Sequence, residues 1–121
     1  MAFNEELSDR IREALMHEPR VSEKRMFGGI CYMVNDKMCI GVMGDEMMCR
    51  VGEEALAEAL EKRGSREMLS GKRVMKGYVL VSEEAMRTAA GFRYWLELCL
   101  AFNPLAKAAK KKNPVTKKST F

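Results

Sequence analysis

KRMFGGICYMVNDKMCIGVMGDEMMCRV, residues 24–51, is the stretch whose reading decides the fold. It divides into three apolar runs, Met26 to Val34, Met38 to Gly44 and Met47 to Val51, separated by the polar pairs Asn35-Asp36 and Asp45-Glu46. Short polar turns between apolar runs read as an antiparallel three-strand meander. The runs alternate only in part, which predicts a sheet covered on both faces. The pair Gly28-Gly29 lies inside the first run. Glycine weakens a strand and marks a bulge or a close approach of another backbone, so a structural bulge is expected, with a ligand-contacting bulge as the sharper alternative. A phosphate loop is excluded, because neither G-x-x-x-x-G-K-[ST] nor G-x-G-x-x-G occurs. Arg25, just before the glycines, suits either a carboxylate partner or anion capture.

Helices flank the meander. Before it, Asn4 can cap a helix that has Glu5 and Glu6 in its first turn, Leu7, Ile11, Ala14 and Leu15 on one face, and Pro19 as its end. After it, Gly52-Glu53-Glu54 starts a second helix with Ala55, Leu56, Ala59 and Leu60 on one face, and Gly64 stands where a C-cap is wanted. Ser65 to Lys76 is polar, with Met68-Leu69 as a short strand and Ser70-Gly71 as a turn; Gly77 to Val81 is a clearer strand. Ser82 is the expected cap of the last helix, and Gly91 is expected to break or kink this region. Phe92, Trp95, Leu96, Cys99 and Leu100 then recur at helical spacing until Asn103-Pro104 stops the helix. The order is α-β-β-β-α-β-β-α: an α+β fold with an antiparallel sheet, a three-strand meander plus one or two further strands, packed with helices.

A chain of 121 residues, 47% hydrophobic and 31% charged, supports one core. One domain is expected over residues 1–105. No apolar run approaches the roughly 20 residues that span a bilayer, and the N-terminus lacks a secretory signal, so the expected compartment is the cytoplasm and no membrane partner is expected. The net charge of +4 conceals an asymmetry. All 17 acidic residues and all but six of the 21 basic ones precede Pro104, which leaves the body near neutral. The remaining six are Lys107, Lys110, Lys111, Lys112, Lys117 and Lys118. Residues 106–121 hold too little apolar surface to fold alone and are expected to form a basic, disordered tail. Its lysines can contact nucleic acid through phosphates without reading sequence.

Catalytic and metal signatures do not emerge. Cys31, Cys39, Cys49 and Cys99 form no C-x-x-C pair, and the one histidine, His17, is remote from them in sequence and reads as a surface residue. Four thiols packed as small hydrophobes are expected. Glu53-Glu54 and Glu83-Glu84 read as first-turn acids. Of the 11 methionines, Met33, Met38, Met43, Met47 and Met48 concentrate in the meander, as core fillers or as an adaptable interface. No cofactor is implied.

Taken together, Arg25-Met26-Phe27-Gly28-Gly29-Ile30-Cys31-Tyr32-Met33, Met38 to Val51, Met75-Lys76-Gly77-Tyr78-Val79-Leu80-Val81 and Trp95 to Phe102 resemble the N-terminal domain of the TfoX/Sxy family. The resemblance covers most of residues 3–103. It implies an α+β fold similar to secretion-chaperone-like domains and a role in transcriptional regulation, since full-length members promote expression of bacterial competence genes alongside the cyclic-AMP receptor protein. It supplies no catalytic residues. After Pro104 a lysine-rich tail is expected where full-length members carry a C-terminal domain. The leading expectation is therefore a non-enzymatic regulatory or interaction domain with a protein partner in the transcription machinery. The alternatives are a small-ligand or anion site formed by Arg25, Gly28, Gly29 and Lys76, and a homodimer joined through a sheet edge or the last helix.

Overall fold

The computed structural model describes residues 4–26 and 28–106. Helix α1 spans Glu5–Ala14, and the Asn4 side chain accepts the Leu7 N–H at 3.1 Å, as its cap position requires. Six strands follow: β1 (Val21–Met26), β2 (Gly29–Val34), β3 (Lys37–Met43), β4 (Glu46–Arg50), then, after helix α2 (Glu53–Glu61), β5 (Ser65–Ser70) and β6 (Arg73–Val81). Helix α3 (Ala89–Phe102) closes the domain. All neighbouring strands are antiparallel, in the spatial order β1-β2-β3-β4-β6-β5. The α+β class and antiparallel sheet expected from the sequence are thus present.

Three local expectations are corrected. The meander has four strands, because Val21–Met26 pairs with β2 ahead of the expected three. Gly28-Gly29 is consequently no bulge inside a strand. Gly28, at φ +75°, belongs to the connection between β1 and β2, and Gly29 begins β2. Ser82 heads only a 3-10 turn, Glu83–Met86, and makes no capping hydrogen bond. The α3 cap is Thr88, whose side chain accepts the Gly91 N–H at 3.0 Å. Gly91 does not kink the helix. It lies in the first turn, where a Cβ would sit 2.5 Å from the Ala85 carbonyl oxygen.

Two apolar layers result. On one face Ile30, Tyr32, Val34, Ile40, Val42, Met47, Cys49, Val79 and Val81 pack with Leu7, Ile11 and Leu15 of the α1 region and with Phe92, Trp95 and Cys99 of α3. Burying each large side chain contributes about 1.5–3 kcal/mol. Phe92, Trp95 and Cys99 of the α3 stripe are thus spent inside the domain, with Leu96 and Leu100 partly buried against it. The opposite face holds Cys31, Met33, Met48, Met68 and Leu80, with Met26, Met38, Met43, Met75 and Tyr78 packed around them. Every residue of β2 is buried, as expected for a sheet covered on both sides. The methionines fill this second layer, where an unbranched, polarizable side chain adapts to a curved surface.

Polar ties fix the helices to the sheet. The Tyr32 and Ser8 hydroxyls are hydrogen-bonded in the interior, and the Tyr32 hydroxyl donates to the Ser8 carbonyl at 3.1 Å. Buried Asn103 donates to the Val34 carbonyl at 3.0 Å and accepts from Asn35 Nδ2 at 3.1 Å, so the end of α3 is clamped to the β2–β3 turn. Asn35 and Asp36 take φ +56° and +65°, the left-handed pair of a tight hairpin turn.

The register defines two ends of the sheet. At one end lie the β1–β2 connection and Gly44. At the other lie the Asn35-Asp36 turn, Arg50 at the close of β4, and the end of α3. Strand β4 pairs only with Tyr78–Val81 of β6, so residues 73–77 and their β5 partners project past it as a two-stranded ribbon. Its cross-strand pair Leu69 and Val74 is 50% and 42% exposed. The outer edge of β1 exposes Ser22, Glu23, Lys24 and Arg25 in succession.

Candidate functional site

The ribbon leaves the sheet through a glycine. Gly77 has φ +87°, and its carbonyl accepts from both Val51 N–H, at 2.8 Å, and Gly52 N–H, at 3.0 Å. The β5–β6 register shifts across this stretch. The irregularity that the sequence suggested at Gly28-Gly29 therefore occurs at Gly77. Gly52, at φ +88°, opens α2, and a Cβ there would overlap the Phe102 ring. The β4–α2 passage, β6 and the end of α3 consequently meet at close range.

Around this meeting point is a cavity of about 660 Å³. Arg50, Lys76, Tyr78, Leu98, Phe102 and Leu105 line it, together with the exposed Glu53 and Glu54. The half-buried Arg50 guanidinium stands 5.4 Å from the Tyr78 ring centroid and 5.7 Å from that of Phe102. It donates to the Met38 carbonyl at 3.3 Å. Among the described residues, none of the ion pairs involves Arg50, Lys76, Glu53 or Glu54. The Tyr78 hydroxyl donates to the Met38 sulfur at 3.8 Å, and burial pushes its ionisation up, so it remains a neutral donor.

The residues singled out in the sequence are divided between the two ends. Arg25 is exposed on the edge strand β1, opposite Ile30. Gly28 has open space around it, whereas Gly29 rests against the Val42 carbonyl of β3. Lys76 is on β6, four strand spacings of about 4.8 Å from β1 and at the other end of the sheet. The structure does not bring Lys76 to Arg25, Gly28 or Gly29; it brings Lys76 to Arg50. Lys107, Lys110, Lys111, Lys112, Lys117 and Lys118 lie outside the described residues, as does the expected tail beyond Ala106. Arg50, Tyr78 and Phe102 escaped the sequence reading. The one signal for Arg50 was a cation ending an apolar run immediately before a glycine and a helix start.

No group of three or more His, Cys, Asp or Glu side chains among the described residues is placed to hold a metal ion. His17 is exposed. All four cysteines are free and buried, as the packing reading required. Burial pushes the Cys31 thiol up to about 11 and raises Cys39 and Cys99 as well, against the activation that nucleophilic thiols need. Burial raises the Tyr32 and Tyr78 hydroxyls in the same sense. Groups raised in the folded state ionise first in the unfolded one. Their contribution is complete below the ordinary thiol value of 9.0 and is lost as pH rises through about 11. Thermal melts are thus expected to coincide between pH 6 and 8 and to fall progressively from pH 9 to 11. A melting temperature unchanged at pH 11 would contradict the buried, neutral thiols and phenols.

These features define an α+β domain with an open, two-layered antiparallel sheet, one amphiphilic cavity and a projecting basic ribbon, without an assembled catalytic constellation among the described residues. Residues 13–103 match the TfoX N-terminal domain family, and the chain belongs to that family. It is not a known enzyme family. No curated protein and no solved structure gives a match. No described helix is long and apolar enough to cross a membrane.

Proposed function

We propose that this chain is a non-enzymatic regulatory domain that contacts nucleic acid with one end of its sheet while engaging a protein of the transcription machinery. The observation that carries the reading is the position of Ala106. This last described residue follows the α3 clamp, at the end of the sheet that also bears Lys37, Lys72, Arg73 and Lys76. The six tail lysines begin directly after it. A two-stranded ribbon is of a size that duplex grooves admit, and cations flanking it favour phosphate contact. The link of the family to competence genes makes their promoters the first targets to test.

Fluorescence anisotropy of the full chain on a labelled duplex, at 50 and 200 mM salt, tests this. With about six phosphate contacts, affinity is expected to fall on the order of a thousandfold over that range. Replacing Lys72, Arg73 and Lys76 by glutamine is expected to lower the salt slope by about 2–3, and replacing the six tail lysines by about as much, the two sets together accounting for the six contacts. Absence of binding at 50 mM salt, or binding indifferent to salt, overturns the proposal.

A further inference from the structure

We propose that the cavity between β6, the start of α2 and the end of α3 binds a small organic monoanion, its charged group on Arg50 and its apolar body against Leu98, Phe102 and Leu105. The inference is independent of nucleic-acid contact.

Three observations converge on it. A volume of about 660 Å³ falls within the range of small-molecule sites, and its lining combines apolar side chains with a few charged ones. Arg50 is half-buried in that lining and takes part in none of the described ion pairs. Charges withdrawn from water are normally paired, so a half-buried guanidinium outside the described ion pairs suits recognition of an anion. Of its five N–H donors, one is directed to the Met38 carbonyl. The Tyr78 and Phe102 rings beside it limit its freedom, which reduces the ordering required when a carboxylate or sulfonate binds. Third, Leu105 is 74% exposed in the same lining as the half-buried Phe102 and Leu98. A ligand body would cover it.

The charge balance selects the class of ligand. Lys76 adds a second cation, exposed to water, while Glu53 and Glu54 oppose it. Arg50 is half-buried whereas Lys76, Glu53 and Glu54 are exposed, so its charge acts through less water and weighs most inside the cavity. A single negative charge satisfies both, whereas a phosphate-like dianion would place excess charge near the two carboxylates. An aryl sulfonate or a medium-chain carboxylate has the required form.

The test titrates the full chain at pH 7 with the anionic fluorophore 8-anilinonaphthalene-1-sulfonate and with the uncharged N-phenyl-1-naphthylamine. Saturable one-to-one binding of the anion is expected. Arg50→Gln should weaken the anion about tenfold and the uncharged probe less than about twofold, since a hydrogen bond to a charged group discriminates by that order. Lys76→Gln, at an exposed position that leaves folding intact, should weaken the anion about threefold. Decanoate should displace the fluorophore well below the concentration at which decanol does. Equal displacement by the two, or anion binding unchanged in both variants, overturns the proposal. Circular dichroism of each variant separates loss of the site from loss of fold.

Discussion

Gly29→Ala is expected to cost about 3–4 kcal/mol of stability, while Gly28→Ala, one residue earlier, costs about 1 kcal/mol. The two glycines look equivalent in sequence, yet they do different work. A Cβ at Gly29 would overlap the Val42 carbonyl oxygen and lie 3.0 Å from its carbon and 3.1 Å from the Met43 Cα. These are backbone atoms of the paired strand β3, so no side chain can swing aside. Relief requires β2 and β3 to separate where the sheet is buried on both faces. At Gly28 an added Cβ meets nothing within 4 Å, and the cost is only that of holding an L-residue at φ +75°. Urea melts of the two variants measure the difference. Equal losses would show that Gly29 does not abut β3 as described.

Trp95→Ala should remove a further large share of the stability, about 3–5 kcal/mol out of the 5–15 typical of a domain. Trp95 is 2% exposed, packs in the helix-covered layer, and meets the Tyr94 ring edge-on at a centroid distance of 5.0 Å. Its removal leaves a void between α3 and the sheet that neighbouring methionine and valine side chains fill only in part. The control is Met16→Ala, at a position 69% exposed, which should change the urea midpoint little. A Trp95→Ala midpoint as close to the parent as that of the control would mean that α3 does not anchor the core.

Much of this architecture was legible because its signals were local. Asn4 announced the α1 cap, Asn35-Asp36 the hairpin turn, and the stripe from Phe92 to Leu100 the buried side of α3. The strand β1 was not legible, since VSEKRM has the exposed, charged face of an edge strand and no apolar run. The β5–β6 ribbon was legible only in part: Met68-Leu69 read as a short strand and Ser70-Gly71 as its turn, but the strands' full length did not show. Over Arg66 to Lys76 only Met68 is fully buried, so polar residues predominate. Ser82 displaced Thr88 as the expected cap because Glu83-Glu84 imitates a helical first turn. The cavity was beyond local reading altogether. Arg50, Lys76 and Phe102 are joined by chain topology, through contacts that two positive-φ glycines allow.

The charged outer edge of β1 bears on how this chain behaves when concentrated. An open sheet can grow by accepting strands from other molecules, and such growth leads to fibres. Here an incoming strand would have to settle beside Glu23, Lys24 and Arg25, where Glu23 is already held by Arg12 at 2.9 Å. At the opposite edge it would meet Arg66, which is engaged by Glu46 at 2.6 Å, and Glu67. Either approach strips water from several charges for a few backbone hydrogen bonds. These charged edges oppose growth of the six-stranded sheet from one molecule into the next.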